Sequence, residues 1–172
     1  NAVETFQVLR AALFAGTKIN LLKHHRESLK PELIWNIEKG LSLTSQEIGK
    51  AQVSRSKLYN RMSEFFLDYD LLICPTVITP PFDVNIRYIE ELDGYKFNNY
   101  VDWLGLTFVL SLTGCPAIST PAGFTDDGLP VGLQIIAPPQ AESKLLAAAG
   151  VLEEIIDLPQ KTPILPRQDC NG

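Results

Sequence analysis

The seven residues from Val131 to Ala137 constrain the fold more than any other stretch, because they are apolar at nearly every position. A half-buried strand alternates apolar and polar side chains, so a run like this suits a strand covered on both faces. Its limits are fixed from either side. Thr125-Asp126-Asp127-Gly128 is a turn signal, in which glycine supplies a positive φ and Asp bonds its own backbone. Pro138-Pro139 have no N–H with which to continue a ladder. A second apolar run, Pro116 to Pro121, ends in Ala122-Gly123 and predicts the preceding strand. Ala141 to Ile156 places Leu145, Ala149, Leu152 and Ile156 at helical spacing, which predicts a closing helix with one face on the sheet.

The upstream part reads as helical. Val3 to Phe14 forms one helix, with Phe6, Leu9 and Leu13 near one face and Gly16 ending it. Lys18 to Leu29 is a second helical piece. Pro31 starts a third at its first position, and Gly40 ends it. Thr44 followed three residues later by Glu47 is a capping box. From there Ile48, Ala51, Leu58, Met62, Phe65 and Phe66 carry a long helix to about Leu67.

Leu71-Leu72-Ile73-Cys74, stopped by Pro75, reads as a buried strand, and Thr76 to Pro81 as its extended exit. Asp83 to Asn98 is polar and mixed. It predicts a surface excursion with a turn at Asp93-Gly94 and a short helix over Arg87 to Leu92. Phe97 to Leu110 resumes helical periodicity, with Val101, Leu104, Gly105 and Phe108 on one stripe. The order of elements implies an α/β fold, helices packed on a mixed β-sheet. One domain piece covers 1–172: mainly helical over 1–68, sheet, pocket helix and closing helix over 69–157, and an irregular Pro-rich tail over 158–172.

A net charge of −5 with scattered basic residues offers no case for nucleic-acid binding. No apolar run is long enough to span a membrane. Cys74, Cys115 and Cys170 are far apart and lack metal-ligand spacing, so they read as buried free thiols of a cytoplasmic protein. His24 and His25 are adjacent on a charged helix, point about 100° apart, and read as solvated. Asp126 and Asp127 read as turn formers, and Glu153 and Glu154 as a solvated helix end. Ser54 and Lys57 are a serine–lysine pair on an exposed helix with no oxyanion donors nearby. The residues by themselves hold no complete active site, and no metal or cofactor is expected.

Three strands give little interior, yet Val131 to Ala137 wants cover on both faces. Apolar content is 45% and mean hydropathy is slightly positive. Together these features predict a piece of a larger fold, and Asn1-Ala2 reads as the scar of a cleaved tag.

One resemblance is specific. Gly114, Pro116, Ala117, Pro121 and Gly123, followed by Gly128, Pro130, Gly132 and Gln134, fill in order the pattern N-x-x-G-x-P-A-x-x-x-P-x-G and G-x-P-x-G-x-Q. In this the chain resembles the C-terminal half of the amidase signature family. Asp70 to Thr76 is similar to that family's D-x-L-L-x-P-T strand. The helix holding Arg55 and ending in Phe65-Phe66 matches the helix before it.

The resemblance implies hydrolysis of an amide to acid plus ammonia or amine by a Ser–cis-Ser–Lys triad. It places that triad in an N-terminal half, on a Gly/Ser-rich loop of which this sequence has none. The piece alone should therefore be inactive. It would supply scaffold and part of the substrate pocket, with Val101, Leu104 and Phe108 as channel wall, flanked by Trp103 and Thr107. Thr76 and Val77, in the loop leaving the strand, are a second candidate wall. A wall of this kind favours an apolar or aromatic acyl group.

Two positions depart from the family pattern. Ser111 stands where Asn is common. Leu104 stands where the glutaminase subunits of tRNA-dependent amidotransferases carry an acid, and Asp102 lies two residues away. With Trp103, this favours a stand-alone amidase over the amidotransferase component. The alternative of another class is a non-catalytic binding or assembly module that retains the half-fold. The expected partners are a small amide and the missing N-terminal half, and the isolated piece is expected to self-associate through an exposed sheet face and strand edge.

Overall fold

The computed structural model describes residues 1–157. The tail over 158–172 and Cys170 lie outside the described residues. In chain order the elements are α1 (Ala2–His25), α2 (Pro31–Ser42), α3 (Ser45–Asp68), β1 (Leu72–Pro75), β2 (Glu91–Leu92), β3 (Tyr95–Lys96), α4 (Gly105–Ser111), β4 (Ala117–Phe124), β5 (Pro130–Ile136) and α5 (Glu142–Ile156).

The helical layer departs from the expected segmentation. α1 is continuous through Gly16, and a 3-10 turn at Arg26–Ser28 follows it. The break expected at Gly16 and the separate piece over 18–29 are thus one helix. A lone glycine costs a helix only about 1 kcal/mol relative to alanine, and α1 packs against both α2 and α3. Gly40 does not end α2, which runs to Ser42. It lies where α2 meets α1: a Cβ added there would sit 1.9 Å from the Ala11 carbonyl oxygen. Ala11, Ile37 and Gly40 are buried at this crossing. Thr5 of α1 donates to Ser54 of α3 at 2.8 Å, which gives that serine a structural partner.

α3 begins as its sequence predicts. Glu47 N–H donates to Thr44 Oγ1 at 3.2 Å, and Thr44 N–H donates back to the Glu47 carboxylate at 2.7 Å. The side-chain hydrogen bond from Thr44, the backbone one and the nearby Lys50 charge hold Glu47 below its ordinary pKa. The hydrogen bond from Lys144 on α5, and then its charge, does the same for Asp70. A carboxylate depressed in the folded state stabilises it above the unfolded pKa, and that contribution is lost as pH falls through the folded value. Thr44→Ala is therefore expected to return Glu47 toward 4.5 in a carboxyl NMR titration. It should also lower the neutral-pH unfolding midpoint by about 3 °C, and the gap from wild type should close in acid.

The three-stranded sheet has the order β1-β5-β4 with both ladders antiparallel. β5 is central, as its apolar run requires, but its cover is graded. Gln134 to Ile136 are buried, whereas Val131 is 40% exposed. Cover on both faces thus holds only for its C-terminal half. β1, expected as a buried strand, is an edge strand of alternating burial, and Ile73 is half exposed. On one sheet face Ile135 and Ala137 pack with Leu71 and Ile118 under Leu145, Ala149 and Leu152 of α5. The opposite face aligns Cys74, Gln134 and Ser119 across the three strands; Cys74 and Cys115, expected buried, are only half-buried.

The turns follow their residues. Gly128 has φ +80, and its N–H donates to Thr125 O at 2.8 Å. The helix expected over 87–92 is absent. Asp93 and Gly94, both at positive φ, close a β2–β3 hairpin there instead. Two consecutive left-handed residues are the preferred two-residue hairpin turn, and here that local signal outweighs the weak helical pattern. The helix expected from Phe97 is also shorter: a 3-10 turn over Asp102–Leu104 leads into α4. Asp102 accepts from Asn98 N–H at 3.2 Å and from the side chain of Gln7, which fixes this entry against α1.

Candidate functional site

The pocket-wall candidates fall into two groups. Val101 and Phe108 are buried, 1% and 5% exposed. The Phe108 ring stacks on Phe6 of α1, with centroids 4.4 Å apart and planes 13° from parallel. Leu104 and Trp103 are half-buried. Trp103 meets Phe82 edge-on at 5.7 Å, so the chain leaving β1 folds back against the entry to α4. Thr107 hydrogen-bonds the Leu104 carbonyl at 2.8 Å and stays within its own turn.

Thr76 and Val77 lie at the end of β1. Val77 is 42% exposed. Thr76 N–H donates to Gly132 O at 3.0 Å, which extends the β1–β5 ladder by one bond. Its hydroxyl lies 2.7 Å from the hydroxyl of Ser119 on β4. The two oxygens meet above the central strand, and Gly132 makes that possible. A Cβ there would lie 2.9 Å from Thr76 Oγ1 and 3.1 Å from Ser119 Oγ. Gln134 links the two groups of candidates. It is 7% exposed, and its Nε2 donates to Cys74 Sγ and to Leu106 O of α4, both at 3.5 Å. The sheet face bearing the hydroxyl pair therefore also seats α4.

Ser119 stands out in no sequence pattern. Its one signal is the two-residue period of β4, which puts it on the same face as Gln134. Gln134 itself is legible in the sequence only as a position in a pattern. Arg55 Nε, on α3, donates to Leu112 O at the C-terminal end of α4 at 3.2 Å, where a cation meets the negative pole of the helix.

Among the described residues no lysine or histidine reaches the Thr76 or Ser119 hydroxyl, and His24 and His25 sit exposed at the end of α1. Among the same residues no His, Cys, Asp and Glu group could hold a metal ion. Asp126 and Asp127 form a turn, as expected. No helix of the described residues is long and apolar enough to cross a membrane.

A glycine beneath two hydroxyls, and a glutamine two residues on that reaches the neighbouring helix, give physical roles to the spacing G-x-P-x-G-x-Q. The family model "Amidase" matches residues 2–146. The chain belongs to the amidase family. It is 31% identical over 142 residues to an acylamidase of Rhodococcus erythropolis, covering 82% of this chain and 30% of that protein. It is 34% identical over 149 residues to a component of the glutamyl-tRNA(Gln) amidotransferase of Lactococcus lactis, covering 84% and 29%. A crystal structure of an amidase superposes with a TM-score of 0.80 at 26% identity, covering 90% of this chain and 35% of that one. The chain thus spans about a third of the length of the amidase relatives it matches.

Proposed function

We propose that this chain is the C-terminal part of an amidase that hydrolyses a carboxylic amide to acid plus ammonia or amine. The family match over 2–146 carries the reading. Acyl transfer needs a nucleophile, a base and oxyanion donors held together. In this reading a Ser–cis-Ser–Lys triad outside the chain supplies them. The chain supplies scaffold, with Leu104, Trp103, Thr76 and Val77 as pocket wall and Val101 and Phe108 as the packing behind it. A wall without charge suits an apolar or aromatic acyl group. The protein works without a metal or cofactor, in the cytoplasm.

The test compares the chain with the longer protein that contains it. The longer protein should release ammonia or amine from small aryl and alkyl amides, and the 172-residue chain should not. Turnover by the chain alone, blocked by a serine-directed acylating reagent, overturns the reading. In the longer protein Trp103→Ala should raise KM about tenfold with little change in the unfolding midpoint. The Trp103 indole is half-buried and touches Phe82 at its edge, so its loss reshapes a wall more than it opens a core.

The relative in L. lactis supports a second reading, the glutaminase component of a tRNA-dependent amidotransferase. Against it stands Leu104, which offers no carboxylate to a substrate ammonium. Glutamine turnover that depends on a copurifying tRNA-binding partner would favour it. The proposed self-association of the isolated chain is supported by the edge strand β1, on which Ile73 is half exposed. A monomer by light scattering at high concentration would overturn it.

A further inference from the structure

A cavity of about 430 Å³ opens between α1, the start of α2 and the segment leading to Tyr88. We propose that it binds a small organic carboxylate with an apolar body. The proposal stands on Arg10 and on the donors around it, and it is independent of the hydrolytic reading above.

Arg10 Nη2 donates to Tyr100 Oη at 3.1 Å. Its guanidinium carbon lies 4.7 Å from the centre of the Phe14 ring and 5.7 Å from that of Tyr100. Arg10 Nε is sealed from solvent without a hydrogen-bond partner. Among the described residues no carboxylate forms a salt bridge with Arg10. Holding a cation in this setting without a counter-charge is unfavourable, and the rings offset only part of that cost.

The phenol oxygen of Tyr100 also accepts from Asn36 Nδ2. Both its lone pairs are used, and its own proton is left to donate. The other cations of the cavity are Lys30 and Arg87, and the one acid is Glu32. Glu32 is already paired with Arg87. Lys30 is the N-cap residue of α2 and provides no side-chain cap, so the positive pole of a twelve-residue helix also faces this end. What remains unmatched is all of one kind: Arg10 and Lys30 are cations without an acid partner among the described residues, and the Tyr100 O–H is a donor. The ligand they call for is an anion with several acceptor atoms, and a carboxylate accepts from a guanidinium in bidentate fashion. Phe14, Leu33, Ile86 and Tyr88 give the rest of the lining an apolar and aromatic character. That favours a carboxylate with a hydrocarbon or aryl body over a bare inorganic ion.

Phenylacetate is the probe, titrated calorimetrically into the chain and into the longer protein that contains it. Phenylacetamide and inorganic phosphate are the comparisons. Phenylacetate should bind both proteins saturably with a Kd of about 1 mM or below. In the 172-residue chain phenylacetamide and phosphate should each bind at least about tenfold more weakly, the first for lack of charge and the second for lack of a body. Arg10→Met keeps the stem and removes the fork, and should weaken phenylacetate about tenfold or more. Should Arg10→Met fail to fold, Lys30→Gln at an exposed position should still weaken it severalfold. No saturation in a protein with a native circular dichroism spectrum overturns the proposal. So does equal affinity of the 172-residue chain for the amide or for phosphate, indifference to the substitution tested, or binding that the longer protein lacks.

Discussion

Gly40→Ala is expected to destabilise the chain by about 3 kcal/mol or more, a loss at the top of the range for overpacking in a well-filled core. The added carbon would fall 1.9 Å from the Ala11 carbonyl oxygen and 2.8 Å from the Ala15 Cβ. The nearer atom is backbone, so no side-chain rotation relieves the clash, and α1 and α2 must move apart. Ile37 and Ala11, both with no exposed surface, lose contact when they do. Gly16→Ala on the same helical pair is the control. Nothing lies within 4 Å of the carbon it adds, and alanine should gain up to about 1 kcal/mol in helix propensity. Urea denaturation followed by far-ultraviolet circular dichroism should show midpoints moving in opposite directions. A Gly40→Ala midpoint equal to wild type would mean that the helices do not cross this closely.

Phe108→Ala is expected to cost about 3–5 kcal/mol, the range for deleting a buried aromatic side chain. The ring is 5% exposed and stacked on Phe6, so its removal leaves a void between α4 and α1. Phe108→Leu keeps most of the volume and should cost less than about 1.5 kcal/mol. In the longer protein this pair separates packing from substrate contact. If Phe108 is packing behind the wall, activity per folded molecule and KM should both survive the leucine substitution. A KM change in the leucine variant, at an unmoved unfolding midpoint, would make Phe108 part of the wall itself.

What could be read from the sequence was mostly what is decided locally. The Thr44–Glu47 box fixes the start of α3 within four residues of chain. Thr125 to Gly128 and Asp93-Gly94 fix their turns in the same way. Misreadings arose where a distant partner decides the outcome. Gly16 and Gly40 both look like helix stops, because glycine is common just past helix ends. One is an unremarkable interior position and the other is the crossing point of two helices, and the distant residues Ala11 and Ala15 distinguish them. Leu71 to Cys74 reads as buried because it is apolar throughout, yet β1 has a single neighbour and one open face. The candidate site shows the same division. The stripe of Val101, Leu104 and Phe108 is visible as a period, but not which members α1 would cover. Ser119 and Arg10 carry no local signal, since one needs β1 and the other needs Tyr100 from ninety residues downstream.

The pairing of β1 with β5 also sets an order of events during synthesis. The two strands are joined residue for residue, Leu72 to Ile136 and Pro75 to Leu133, across about sixty positions of chain. At ribosomal rates of about 5–20 residues per second, β1 emerges some 3–12 s before its partner exists. The helices α1 to α3 can form in that interval from local contacts. The β1–β5 ladder cannot form until translation reaches β5. A newly made chain therefore carries the apolar segment Leu71 to Cys74 without its β5 partner for seconds, and an apolar strand edge in that state is a place where a chaperone or an aggregating neighbour would take hold.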